Sequence, residues 1–111
     1  MKGYPEDMTE IKLCNVDDVE IGQPFLVRVE GREPFAVYNV DGNIYVSDDL
    51  CTHGRASLAD EGELDGFNII CSWHDGAFDI RTGEIAAFPC TEPLKVYPVT
   101  IRDGEVYISA D

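Results

Sequence analysis

Hydrophobic and polar positions along this chain alternate in short bursts, and no burst of ten or more residues has the period of a helix. Phe25-Leu26-Val27-Arg28-Val29-Glu30 reads as a strand whose successive side chains point to opposite faces, closed by a turn at Gly31-Arg32-Glu33. Pro34 to Val40 and Asn43 to Ser47 flank Asp41-Gly42, two residues that tolerate positive φ and so predict a tight hairpin. The same logic predicts a last hairpin from Lys95 to Arg102 and Glu105 to Ser109 across Asp103-Gly104. Pro98 lacks an N–H for the ladder and demotes its strand to an edge or a bulge. Shorter strands are predicted at Ile11 to Cys14, at Phe67 to Ile70 after a turn at Leu64-Asp65-Gly66, and at Ala77 to Ile80 before a turn at Arg81-Thr82-Gly83. The polar stretch from Asn15 to Gln23 has room for one helical turn. With no internal repeat and no low-complexity linker, the pattern predicts an all-β fold, an antiparallel sandwich or small barrel, in a single domain over residues 1–111.

Composition narrows the function classes. A chain of 111 residues can bury one core but not two, and 44% hydrophobic residues is too many for a disordered chain. Twenty-two acidic residues against eight basic ones give a net charge of −14, which argues against nucleic acid and anionic membrane surfaces as partners. Met1 to Asp7 has no apolar core of the kind a signal peptide needs, and no apolar run approaches the roughly 18 residues of a membrane span. The cytoplasm is therefore the expected location. In that reducing compartment cysteines serve as ligands or remain thiols.

The chemistry concentrates in two short stretches. Both histidines of the chain stand beside a cysteine, in Cys51-Thr52-His53 and in Cys71-Ser72-Trp73-His74. Two thiolates and two imidazoles can hold a single zinc or iron ion, or the two irons of one cluster with cysteines on one iron and histidines on the other. One intervening residue in Cys-x-His is tight for two bonds to the same ion. It is acceptable when the two ligands go to different irons, so the spacing favours the cluster over a zinc knuckle. Gly54 and Gly76 follow the two histidines and permit sharp turns or close approach of the backbone to sulfide.

Cys51-Thr52-His53-Gly54 with Cys71-Ser72-Trp73-His74-Asp75-Gly76-Ala77-Phe78 resembles the paired motif of Rieske [2Fe–2S] proteins. Length, acidity and the flanking Asp49-Leu50 and Thr82-Gly83 make the chain similar, from about Ile11 to Ile108, to the soluble Rieske-type ferredoxins of multicomponent aromatic-ring dioxygenases. Ser72 and Asp75 depart from the proline and glycine frequent at those positions. The resemblance implies one [2Fe–2S] cluster per chain, ligated by Cys51, His53, Cys71 and His74 in a cluster-binding subdomain of about residues 48–80 inserted in the β scaffold. It implies a third, proline-containing loop, here Phe88 to Pro93, that shields the cluster. Trp73 is expected to pack, to cap the sulfides against water, or to offer an aromatic face for docking; Cys14 and Cys90 are expected to be small buried hydrophobes.

A centre whose irons are fully ligated has no open site for substrate, and both histidines are already used. If the cluster is present, an oxygenase carrying its own two-histidine, one-carboxylate iron is thereby excluded. The resemblance implies instead a monomeric one-electron carrier, not itself an enzyme, that takes electrons from a flavin-dependent NAD(P)H ferredoxin reductase and gives them to a terminal oxygenase. The rival readings are a small Rieske subunit of a nitrite-reductase-like complex and, from another class, a zinc-stabilised interaction module. Asp48, Asp49, Asp60, Glu61 and Asp75 lie near the ligand loops and are expected to steer a basic partner. Neither ligand loop carries the spare cysteine of the disulfide-bearing, high-potential Rieske proteins. Asp75-Gly76-Ala77 offers no hydroxyl to a sulfide. The expected potential is therefore near the lower end of the Rieske range of about −150 to +300 mV.

Overall fold

The computed structural model describes residues 9–52, 56–71, 76–88 and 92–110. In chain order its elements are β1 (Thr9–Asn15), a 3-10 turn (Val16–Asp18), β2 (Phe25–Val27), β3 (Phe35–Val40), β4 (Asn43–Asp48), the one-turn helix α1 (Leu58–Glu61), β5 (Gly62–Asp65), β6 (Asn68–Cys71), β7 (Ala77–Asp79), β8 (Ile85–Ala87), β9 (Val96–Tyr97), β10 (Val99–Arg102) and β11 (Glu105–Ala110). They form three antiparallel sheets, ordered β1-β11-β10, β2-β3-β4-β9 and β5-β6-β7-β8. The all-β expectation holds, with open sheets and no closed barrel among the described residues. No helix among them is long and apolar enough to cross a membrane.

The sheet of β2, β3, β4 and β9 is the middle layer. Successive residues of β3 point to opposite faces, and Phe35 to Asn39 are all buried. Phe35 and Val37 face a core shared with Cys14, Val106, Ile108 and Ala110 of the first sheet. Ala36 and Tyr38 face a second core shared with Leu58, Ile69, Phe78, Ile80 and Leu94, so the single core expected from the chain length is in fact two, because a sheet packed on both faces divides the buried residues between them. Each fully buried Leu, Ile or Phe in these cores contributes on the order of 2 kcal/mol. Tyr38 brings a hydroxyl inside, and a 2.9 Å hydrogen bond to Ser47 Oγ satisfies it.

Both predicted tight turns form, with positive φ at Asp41, Gly42, Asp103 and Gly104. Pro98 divides its predicted strand: β9 pairs with β4 in the middle sheet and β10 pairs with β11 in the first. The loss of one ladder donor is where the chain changes sheets. Other boundaries differ from the pattern. The strand predicted to Glu30 stops at Val27, because its partner β3 begins at Phe35 and the Arg32 N–H closes a turn on the Val29 carbonyl. The stretch read only as a turn before Phe67 contains β5, paired from Gly62↔Cys71 to Asp65↔Asn68. β8 was not predicted either; alanine-rich and three residues long, it exists through pairing with β7. Its Ser-x-x-Asp start, Ser57 to Asp60, could have announced α1: Ser57 Oγ accepts the Asp60 N–H.

α1 and β5 to β8 lie between β4 and β9, which are neighbours in the middle sheet. Gly83 ties this excursion back. Its φ is +85° and its carbonyl accepts the Leu94 N–H at 2.8 Å. A Cβ there would lie 1.9 Å from the Leu94 carbonyl oxygen. Gly83→Ala should therefore cost about 3 kcal/mol or more, combining backbone strain with a clash against main chain. Gly31, at φ +81° in open space, isolates the strain alone, so Gly31→Ala should cost only about 1–2 kcal/mol. Urea midpoints of the two holoprotein variants check this; equal losses would contradict the clash.

Candidate metal centre

The two cysteines are delivered by strand ends from different sheets. The chain leaves β4 through Asp49 and Leu50, and a bridge between Leu50 and Ser57 draws the two sides of the first ligand loop together. Cys51 donates its N–H to the Ala56 carbonyl at 2.8 Å. Cys71 ends β6 and donates its N–H to the Gly76 carbonyl at 2.7 Å. Each cysteine thus heads a loop closed by its own amide on the carbonyl five residues later. Four residues lie inside each closure, and the histidine is among them in both.

Cys51 is 1% exposed and Cys71 3%, and both belong to the apolar cluster formed with Leu58, Ile69, Phe78 and Leu94. They are not joined in a disulfide. Of the four sequence-predicted ligands the structure brings these two together; His53 and His74 lie outside the described residues, as do Trp73, Asp75 and Cys90. Two soft sulfur donors buried in one apolar cluster fit an iron–sulfur centre, because burial and a dry lining tune such a group and shield it from water. Cys14 is elsewhere, in the other core, where burial and, to a smaller extent, the Asp18 charge push its thiol up to about 11. It behaves as the buried hydrophobe the sequence suggested.

Asp49 was expected among the steering acids. It is instead 1% exposed and holds the first ligand loop. Its Oδ1 accepts the Ala59 N–H at 2.8 Å, its carbonyl accepts the Leu58 N–H at 2.7 Å, and its own N–H donates to Pro34. A carboxylate that meets the amides at the start of a helical turn is stabilised where it is, inside the fold. Asp48 is half-buried and accepts the Tyr97 hydroxyl proton. Asp60 and Glu61 are exposed, as steering requires.

Sequence reasoning also missed a contact across forty residues. Thr52 Oγ1 donates to the Glu92 carbonyl at 2.9 Å, tying the first ligand loop to the chain that follows Phe88. No local signal marks it, because the fold alone brings these residues together. A depression of about 270 Å³ opens beside Cys51, lined by Glu33, Asp48, Leu50, Thr52 and Glu92.

Residues 9–98 match the Rieske [2Fe-2S] domain. The chain belongs to this family. It is 44% identical over 92% of its length to the ferredoxin component of the p-cumate 2,3-dioxygenase system of Pseudomonas putida, covering 87% of that protein. The ferredoxin of Sphingomonas yanoikuyae B1 superposes with a TM-score of 0.88 at 50% identity, over 93% of this chain and all of that one. A chain in the solved complex of reduced oxygenase and oxidized ferredoxin of carbazole 1,9a-dioxygenase superposes with a TM-score of 0.83 at 45% identity, over 89% and 91% of the two chains. The cofactor of this Rieske chain is a single [2Fe–2S] cluster, which removes the zinc alternative.

The Thr52 tie should govern how long the cluster is retained. Thr52→Val keeps the shape and loses the donor, and should bleach up to about tenfold faster, the equivalent of one net hydrogen bond. Thr52→Ser should stay within about twofold of the parent. Decay of the visible absorbance in the presence of an iron chelator checks it, and equal rates for all three proteins would show the tie to be incidental.

Proposed function

We propose that Cys51 and Cys71 ligate one iron of the cluster and His53 and His74 the other, within a subdomain of about residues 48–80. The cluster supplies reversible one-electron exchange and no site for substrate. The protein acts as a monomeric, cytoplasmic carrier and is not itself an enzyme. It accepts electrons from a flavin-dependent NAD(P)H ferredoxin reductase and passes them to the terminal oxygenase of an aromatic-ring dioxygenase system. The observation that carries this reading is the pair of buried thiols, held by matching loop closures in one apolar cluster. The names of its relatives, ferredoxin components of dioxygenase systems, support the role.

What the chain's residues do follows from their placement. The loop closures fix the two cysteines through main chain, so their separation does not depend on flexible side chains. Leu58, Ile69, Phe78 and Leu94 exclude water from the inner side of the thiols. The −14 charge provides a long-range field that orients a basic partner before contact.

The purified protein should contain two irons and two acid-labile sulfides per chain, and electron-nuclear spectroscopy of the reduced form should show two coordinated nitrogens. Its potential should lie near the lower end of the range of about −150 to +300 mV, and His53→Cys or His74→Cys should lower it, since each adds a negative ligand. Stoichiometric zinc without sulfide in protein from its native host would end this reading.

Steering makes a separate prediction. The rate of reduction by the reductase should fall as salt shortens the Debye length below about 8 Å, and fall again on neutralising Asp60 and Glu61 to Asn and Gln. Asp49→Asn, a change at a buried position, should leave the salt dependence alone. A flat salt response would reduce the acids to solubility groups.

A further inference from the structure

The chain from Ile85 to Phe88 is the uncharged run Ile-Ala-Ala-Phe in a protein that carries 22 acidic residues. It is also exposed. Phe88 is 83% accessible, Ile85 38%, and Ala86 lies open between them. Among the described residues β8 is the outer strand of its sheet, paired on one side with β7. Outer strands are ordinarily guarded by charge, and this one has none of its own.

Its position is set by two contacts. Ala87 pairs with Ala77, the residue after Gly76, whose carbonyl closes the Cys71 loop. Four residues beyond Phe88, the Glu92 carbonyl is bonded to Thr52, next to Cys51. The apolar run therefore ends at the foot of one cysteine loop, and the chain beyond it returns to the other. Exposed Glu84 and Glu92 stand at its two ends.

We infer that Phe88, with Ile85, is the apolar anchor on which the terminal oxygenase seats this protein. The inference rests on the carrier role proposed above. The complementary surface is an apolar depression bordered by lysine or arginine. A second copy of this chain is a poor occupant, because it would bring two surfaces of net charge −14 together with acids at both ends of each run. An oxygenase is the better one: a ferredoxin 45% identical to this chain has been solved in complex with one. Charge steers the encounter, and the aromatic side chain sets how long it lasts, since truncating a buried aromatic anchor acts mainly on dissociation.

The test uses the cluster-loaded protein and the terminal oxygenases of the p-cumate 2,3-dioxygenase and carbazole 1,9a-dioxygenase systems as probes, with Kd measured by calorimetry at 0.15 M and 0.5 M salt, concentrations chosen at about and well above physiological screening. Phe88→Ala should weaken binding at least about tenfold at both salts, Phe88→Leu should retain most of the affinity, and potential and visible spectrum should be unchanged in both variants. A Kd within about twofold of the parent for Phe88→Ala overturns the inference. So does a loss confined to reduction by the reductase. A parent dimer that dissociates on this substitution overturns it too, in favour of a second copy. If the parent protein itself binds neither oxygenase and reduces neither, the carrier role fails first and the anchor falls with it.

Discussion

Burial of β3 on both faces is the constraint on which the rest of the structure depends. A strand alternates its side chains with a period of two, so five consecutive buried residues from Phe35 to Asn39 require a packed layer on each side. The first sheet supplies one layer and the excursion between β4 and β9 supplies the other. Among the described residues of the outer sheets, β5 and β11 alternate between more and less exposed positions, and β7 buries only Ala77 and Phe78 in succession. β3 is therefore shared by both cores, as is its neighbour β4 through Tyr45 on one side and Ile44 and Val46 on the other, and the cysteine-bearing layer is held to the scaffold through Ala36 and Tyr38.

That arrangement divides control of the site between local and tertiary structure. Each loop is shaped locally, by a cysteine amide bonded to the carbonyl five residues later. The placement of one loop against the other is tertiary, because Cys51 follows the middle sheet and Cys71 ends a strand of the third. The packing of Tyr38 and Leu58 against Ile69 and Phe78 consequently sets the relation between the two thiols. Close-packed interiors transmit small displacements rather than absorbing them, so the placement of the two thiols is a property of this core as well as of the loops. Asp49 joins the two levels: it is adjacent to the first loop in sequence, yet its carboxylate and carbonyl are committed to the amides of α1.

What could be read from the sequence was what local chemistry imposes. Asp41-Gly42 and Asp103-Gly104 announced their hairpins because few residue pairs accept two positive φ angles in succession. The paired Cys and His motif was legible because both histidines of the chain fall beside cysteines. Pro98 showed a break, though not that β9 and β10 would enter different sheets. β5 and β8 were illegible because Gly62, Glu63, Ala86 and Ala87 carry little strand preference of their own; pairing with β6 and β7 imposes the conformation. Asp49 looked like one more surface acid among twenty-two, since the amides that require it belong to a helical turn ten residues away. Thr52 and Glu92 meet across forty residues, a separation at which no sequence pattern operates.

The charge of the chain acts at a different range from these contacts. Lys12, Arg81 and Arg102 are paired with Glu105, Asp79 and Glu10 in exposed ion pairs that stabilise the fold little. Their pairing cancels three of the eight positive charges against three acids and leaves the surplus of −14 unchanged, and that surplus dominates what an approaching protein meets. Such a field is smooth on the scale of a side chain. It raises the encounter rate and turns the molecule, but it does not select one docking register among neighbouring ones. Register requires short-range shape, which a uniformly acidic surface cannot provide and an uncharged outer strand ending in an exposed aromatic can. In the proposed carrier role, steering and seating are thus separate physical tasks that fall to different residues.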